Sequence, residues 1–210
     1  MTTQTENVVY TNEVILKGFI VHKYEAAKAT ILTIATNKGY SSPSDYPKVV
    51  CFDESREKAK DFNKGDNITV IGNVQSSKRR RKDNPKITFY SQSIFAEDIM
   101  KSQNVLEAEF GVEGESYGDP LNQGKFAGTV TQISSPVEGL IRLTVKTIKN
   151  DRVSFVAMTF FTQEVGKVLE SIRVNDNVCA LASIQTRKKK SKGEVRHYEN
   201  VVVHDLQKIN

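Results

Sequence analysis

The sequence is poor in the residues that build metal, disulfide and indole-based sites. It has no tryptophan, two cysteines and three histidines among 210 residues. Cys51 and Cys179 stand one in each half, inside apolar runs and without CxxC spacing, which predicts buried free thiols rather than a disulfide. His22, His197 and His204 are too scattered for a zinc cluster or a catalytic triad. We therefore expect neither a metal nor another cofactor.

Long apolar runs are also missing. No stretch approaches the roughly 18 apolar residues that span a bilayer, and the N-terminus has no signal-peptide core. We expect a soluble protein of a reducing compartment, the cytoplasm. The sequence shows no nucleophile placed with a base, no paired carboxylates on facing strands and no phosphate-cradling glycine loop. Accordingly we do not expect an enzyme.

The positive charge is small in total but concentrated. The formal net charge is +5, yet twelve of the 30 Lys and Arg residues fall in the windows 78–86 and 187–196. Such local fields attract polyanions, of which nucleic acid and acidic membrane surfaces are the common ones. Because no amphipathic helix carries the charge, the sequence favours nucleic acid and disfavours a membrane.

The chain contains an internal repeat. Residue n laid over residue n+110 brings Gly18 onto Gly128 and Gln75 onto Gln185, and aligns the two basic runs. "GDNITVIGNVQ", from Gly65, matches "NDNVCALASIQ", from Asn175. A period this long that occurs twice indicates duplicated domains, since solenoid repeats are far shorter.

Each copy reads as five strands with a helix after the third. The apolar residues alternate with period two and the segments are rich in Val, Ile, Thr and aromatics. In the first copy we predict strands at 13–24, 29–37, 48–52, 67–76 and 87–95, and a helix at 54–63 that stops at Gly65. In the second we predict strands at 124–133, 141–148, 153–161, 177–187 and 195–203, and a helix at 164–172.

This order is that of an OB barrel. The predicted fold class is all-β, with two tandem OB-fold five-stranded barrels and one short helix in each domain. We place the N-terminal OB domain at 1–100, an acidic Gly- and Pro-containing linker at 101–121 and the C-terminal OB domain at 122–210. The linker composition fits a solvated tether, or an acidic strip that competes with nucleic acid for the basic runs.

Both basic runs fall on the hairpin between strands four and five. That hairpin projects from an OB barrel, so we expect its side chains to be free of packing and to contact phosphates. A nuclear-import signal would fit "KRRRK" but would not explain the second run. The predicted phosphate contacts are Lys78, Arg79, Arg80, Arg81 and Lys82 in the first copy and Arg187, Lys188, Lys189, Lys190 and Lys192 in the second.

Aromatic residues on the third strands are the candidate base-stacking groups. In "DYPKVVCF", from Asp45, alternation sends Val49 and Cys51 to the core and Tyr46, Lys48 and Phe52 to the other face. Two rings separated by a cation suit bases and their phosphates. In "FVAMTFF" the outward rings are Phe155 and Phe161. The alternative for each ring is ordinary packing.

Several segments resemble the bacterial and phage single-stranded DNA-binding proteins, SSB. "NEVILKG" is similar to the family's first strand, "TIATNKGY" to its second, "YPKVVCF" to its third, "KGDNITVIGNVQ" to its fourth and "RHYENVVV" to its fifth. The resemblance implies base stacking by Tyr40, Tyr46 and Phe52, and in the second copy by Phe155 and Phe161. The family's hairpin aromatic has no counterpart, and Arg79 stands near its place.

The resemblance implies a non-catalytic protein that coats and protects single-stranded DNA without sequence preference, during replication, recombination or DNA transfer. Its setting would be a bacterial cytoplasm, or a phage or plasmid protein in the host cytoplasm, and two chains would pair as a homodimer. The acidic tail that recruits replication and repair enzymes in that family has no match after "HDLQKIN", which leaves such protein partners open. The alternatives are an RNA-binding OB protein and an OB-fold adaptor that docks protein partners without binding nucleic acid.

Overall fold

Alternating apolar residues give this chain its strands, as period two predicts. The computed structural model describes residues 10–36, 44–80, 84, 86, 88–102, 121–191 and 194–209. Of the predicted linker, 101–121, residues 103–120 lie outside the described residues, whereas Lys101 ends one strand and Leu121 begins the next. The strands and helices are β1 Thr11–Glu25, β2 Thr30–Ala35, β3 Lys48–Cys51, α1 Asp53–Lys60, β4 Asn67–Arg80, β5 Thr88–Lys101, β6 Leu121–Val137, β7 Leu140–Lys149, β8 Arg152–Phe161, α2 Val165–Ser171, β9 Asn177–Ser191 and β10 Glu194–Ile209.

The strands of the first half close into a five-stranded barrel. β1 pairs with both β2 and β4, β2 pairs with β3, β3 runs parallel to β5, and β5 pairs with β4. With α1 between β3 and β4, this is the OB arrangement. Alternate residues such as Val14, Leu16 and Ile20 point inward and are fully buried. The prediction of a mostly β chain with a short helix in each half is therefore confirmed.

The second half repeats the same pairings, and β1 joins the halves. The pairs β6–β7, β7–β8, β8–β10, β10–β9 and β9–β6 lead back to β6, with β8–β10 the parallel pair. β1 and β6 are antiparallel neighbours from Thr11 opposite Ala127 to Lys17 opposite Leu121. All ten strands consequently belong to one hydrogen-bonded sheet system.

Two asparagines at the start of the first strands tie this junction together. The Asn12 Nδ2 donates to the Val74 carbonyl (2.7 Å) and its Oδ1 accepts from the Val74 N–H (2.9 Å), so the side chain acts as one more rung of the β1–β4 ladder. Asn12 Nδ2 also reaches Thr147 Oγ1 of the other half, at 3.1 Å. Because all of these groups are buried, losing the amide would leave several unpaired polar atoms.

The second half contains the same contacts 110 residues later. Asn122 exchanges two hydrogen bonds of 2.7 Å with the backbone of Ile184, and its Nδ2 donates to Thr36 Oγ1 at 3.1 Å. The two halves are thus related by a local two-fold axis between β1 and β6. The hydrogen bonds of Asn12 with Val74 and of Asn122 with Ile184 are related by this symmetry.

The repeat also conserves special backbone positions. Gly65 and Asn175 both have positive φ, 97° and 76°, in the turn before the fourth strand of each half. Glycine and asparagine are the residues that tolerate this conformation best. Gly18 and Gly128 lie where a Cβ would collide with the backbone oxygen of Ala35 or Lys146.

Several details differ from the sequence predictions, among them longer fifth strands, which end at Lys101 and Ile209. β4 and β9 continue through the basic runs, to Arg80 and Ser191, because the cross-strand ladder with β5 and β10 persists there. α1 ends at Lys60 rather than 63, before the turn that contains Gly65. Both cysteines are free as predicted, but Cys179 is only partly buried. Burial raises the pKa of the Cys51 thiol to about 12.

The β7–β8 connection is a two-residue hairpin. Asn150 and Asp151 have φ of 49° and 60°, and both strands pair up to Lys149 opposite Arg152. Two consecutive positive φ angles characterise the type I′ turn. In the first half β2 ends at Ala35 and β3 begins at Lys48, so the corresponding connection is much longer.

Substituting the repeated glycine tests the tight strand crossing. We expect Gly128→Ala to lower the free energy of unfolding by about 1–3 kcal/mol, because the methyl group would force β6 away from the Lys146 carbonyl. Gly166→Ala is the matched control, since a Cβ there meets no atom within 4 Å. That change should raise stability by about 0.5–1 kcal/mol, as Ala replaces Gly in a helix. Urea unfolding followed by circular dichroism measures both, and equal effects would contradict the packing argument.

Candidate nucleic-acid interface

The basic residues lie on two-stranded arms. We call residues 76–80 with 88–92 the first arm, and residues 186–191 with 194–199 the second arm. The described basic side chains on the arms are exposed, and none forms a salt bridge with a carboxylate in the described ranges. These side chains are Lys78, Arg79, Arg80, Arg187 and Lys188.

Other predicted residues have less structural description. Lys189 and Lys190 belong to β9, but the structure does not describe their side chains. Arg81, Lys82, Lys192 and Tyr40 lie outside the described residues.

The base of the first arm docks on β8 of the second half. Ser76 Oγ accepts a hydrogen bond from the Phe155 N–H at 2.8 Å. The Gln92 side chain accepts from the Ala157 N–H (3.0 Å) and donates to the Ala157 carbonyl (3.2 Å). The Gln92 side-chain amide therefore pairs with the backbone of β8 much as a neighbouring strand would.

The second arm docks in the same way on the first half. Thr186 Oγ1 accepts from the Tyr46 N–H at 2.9 Å, and Glu199 Oε1 accepts from the Lys48 N–H at 2.8 Å. We call these two sets of contacts the clasps. They correct the prediction that the hairpins are free of packing, because their polar bases hold the third strand of the opposite half.

The clasps differ in charge. Ser76 corresponds to Thr186, and both supply a hydroxyl group, but neutral Gln92 corresponds to Glu199, which brings a carboxyl group. The Asp45 Oδ1 also accepts from the Thr186 N–H in the second clasp, at 2.7 Å. Burial raises the pKa of Glu199, while the hydrogen bond from the Lys48 N–H and the Lys48 charge act against that rise.

The predicted rings lie next to the arms with different exposures. Tyr46 and Phe52 are each 39% exposed and Phe161 is 50% exposed, whereas Phe155 is half-buried. Lys48 is exposed at the start of β3, between the first two rings in sequence. The clasp thus binds the backbone of Tyr46 and Lys48 and leaves their side chains accessible.

Each ring except Tyr46 has a described partner. The Phe52 ring stacks on Phe95, with centroids 5.7 Å apart and planes 15° apart. The Phe155 ring lies 5.6 Å from Tyr90 of the first arm at a 44° tilt. The Arg187 guanidinium carbon lies 5.7 Å from the centroid of Phe161, so the structure brings these two predicted residues together.

Sequence reasoning missed the tyrosines on the arms. Tyr90 is 59% exposed and Tyr198 is 45% exposed. Tyr90 stands opposite Lys78 across the first arm, and Tyr198 opposite Arg187 across the second. The arms therefore carry two exposed rings beyond those named from the sequence. A tyrosine in each fifth strand, in "YSQ" and in "YEN", was the signal that could have shown these rings.

The comparisons with known proteins bear on the fold. No family model matches the sequence, and none of the curated proteins matches it. A deletion mutant of the single-stranded DNA-binding protein from Thermus aquaticus matches with a TM-score of 0.66 at 15% identity, over 96% of this chain and 95% of that chain. The wild-type protein from Thermus aquaticus gives 0.63 at 16% identity, over 96% and 94%. The likeness shows the fold. The matched region includes both halves of the chain, and therefore both copies of the internal repeat.

Metal ligation and membrane insertion are the other kinds of site that such a chain could carry. Among the described residues no group of three or more His, Cys, Asp or Glu side chains is placed to hold a metal ion. No helix in the described ranges is both long enough and apolar enough to cross a membrane.

The buried carboxyl of the second clasp predicts a pH dependence. The pKa of Glu199 is higher in the folded protein than in the unfolded chain. The carboxyl group therefore contributes stability at pH values below its ordinary pKa near 4.5, and that stability is lost as the pH rises through the folded pKa. Glu199→Gln should therefore unfold at higher temperature than wild type at neutral pH, with the difference vanishing in acid.

The reverse exchange is the matched control. Gln92→Glu should lower the unfolding temperature at neutral pH and recover part of it in acid, because it buries a second carboxyl in the other clasp. Thermal unfolding of the three proteins across the pH range measures both effects. If the Glu199→Gln difference is the same at every pH, the carboxyl of Glu199 does not titrate in a buried clasp.

Proposed function

We propose that this protein binds single-stranded DNA without sequence preference, coating and protecting it during replication, recombination or DNA transfer. Two tandem OB barrels would each hold part of the strand. The observation that carries the proposal is the doubled arrangement of exposed rings beside basic side chains that have no described carboxylate partner. The proposal also includes the homodimer implied by the SSB resemblance, which sedimentation of the free protein would test.

The chemistry of the exposed groups favours unpaired nucleic acid. A base in a duplex is covered on both faces, whereas an unpaired base can stack on a ring such as Phe52 or Phe161. Such stacking tolerates any sequence, because every base has a flat face. Phosphates bound by the arms would release counterions, so that binding would be strong in dilute buffer and weak in salt.

The clasps support the proposal because they determine where the arms lie. An unattached hairpin would lose conformational entropy when it closed on a strand, whereas these arms are already held against the opposite half. The exposed cations Lys78 and Arg187 stand beside the exposed rings Tyr90 and Tyr198. Each arm thus has a ring and a cation at directly opposite positions on its two strands. The ring could stack on a base while the cation binds a phosphate.

Ring removal tests the base-stacking part. We expect Phe52→Ala to weaken binding of a labelled oligo(dT) by about 1–3 kcal/mol, the range for one base–aromatic stack. Phe19→Ala is the matched control, because Phe19 is 51% exposed but stands opposite Asn67, at the other end of β4 from the arm. Fluorescence anisotropy at constant salt measures both. Equal, unchanged affinities would contradict stacking and favour the adaptor alternative.

Charge removal tests the phosphate part. Replacing Arg79, Arg80 and Arg81 by Ala should flatten the plot of log affinity against log salt, by about 0.7 for each phosphate of a single strand that the arm no longer neutralises. Oligo(dT) should bind far better than a duplex of the same length. A matched RNA strand in the same titration separates the RNA-binding alternative. An unchanged slope would show that the first arm does not bind phosphates.

A further inference from the structure

Arg152 belongs to the second half but lies against a ring of the first half. It is the first residue of β8, directly after the type I′ turn, and its guanidinium carbon lies 6.0 Å from the centroid of Phe95. Phe95 in turn stacks on Phe52. The stack Phe52, Phe95, Arg152 therefore crosses the junction between the halves, and its first member is a predicted base-stacking ring.

Arg152 also differs from its neighbour in charge pairing. Lys149 is neutralised by Glu97, whose Oε2 lies 2.7 Å from the Lys149 Nζ, and Glu97 Oε1 accepts from Asn73 at 2.7 Å. The Arg152 side chain is exposed, and no carboxylate within the described part of the chain pairs with it. A guanidinium on an aromatic face keeps its N–H edges free for a phosphate.

A polar cavity lies beside Arg152. It has a volume of about 130 Å³ and is lined from both halves. Gln75 Oε1 is shielded from solvent in this wall and has no hydrogen-bond partner in the described structure. A buried acceptor without a partner is uncommon in a packed protein, and this one lines a polar cavity next to an exposed cation. The lining residues are Asn12, Asn73, Gln75, Lys149, Asn150, Arg152 and Ser154.

We propose that the junction is a nucleotide subsite, in which Arg152 binds a phosphate of the single strand beside the polar cavity. This inference rests on the proposed function and deepens it. The next base along the strand stacks on the exposed Phe52 ring. One strand is consequently held by both halves at the same point, and the two halves act as one binding unit.

The test compares Arg152→Ala, Arg152→Lys and the control Arg173→Ala in the full chain. Arg173 is also an exposed arginine of the second half, but it precedes β9, away from the arms and rings. The probe is a labelled, mixed-sequence DNA strand long enough to span both halves, titrated by anisotropy over a range of salt. Thermal unfolding of each variant reports separately on the packing of the junction.

We expect Arg152→Ala to weaken binding about five- to tenfold, the effect of removing one charge-assisted hydrogen bond, and to reduce the salt slope by about 0.7. Arg152→Lys should keep the slope but lose part of the affinity, because an ammonium lacks the planar face that stacks on Phe95. Arg173→Ala should match wild type.

Two results would overturn the subsite while leaving the proposed function intact. In the first, wild type binds and Arg152→Ala has the affinity and slope of Arg173→Ala. In the second, Arg152→Ala unfolds at a lower temperature with unchanged affinity, which would make Arg152 a packing residue. If wild type does not bind the single strand at all, the proposed function itself fails, and the subsite fails with it.

Discussion

The architecture depends on buried amide hydrogen bonds at the line where β1 meets β6. Asn12 and Asn122 each supply a rung to the adjacent fourth strand and reach across to a threonine of the other half. These bonds fix where β4 and β9 leave the barrel wall, and hence where the arms begin. The clasps then hold the arms in place. The loss of either asparagine would leave several buried polar groups without a partner at once.

Much of the fold could be predicted from the sequence because alternation and duplication are local signals. Fully buried residues alternate with less buried ones along β2 and along most of β7, and the repeated glycines mark close strand crossings. Strand ends were less predictable. A run such as "SSKRR" looks like a solvated loop, because its strand character comes from a partner strand and not from its own apolar residues.

The candidate site was predictable where one strand determines it. Tyr46, Phe52, Phe155 and Phe161 follow from the pattern within the third strands. The clasps did not, since Ser76, Gln92, Thr186 and Glu199 are ordinary surface residue types until the other half covers them. The place of Arg152 against Phe95 likewise depends on an interaction between residues far apart in the chain.

The two clasps have a consequence for behaviour at low concentration. In a dimer of separate OB chains the corresponding interface would dissociate on dilution, and any substitution would appear on both sides of the axis. Here one polypeptide carries both sides, so the partner surface is always present at a high effective concentration. Because both clasps are encoded in one chain, they can also differ in sequence, as Gln92 and Glu199 do. The two halves can stay assembled at copy numbers where a two-chain version would separate.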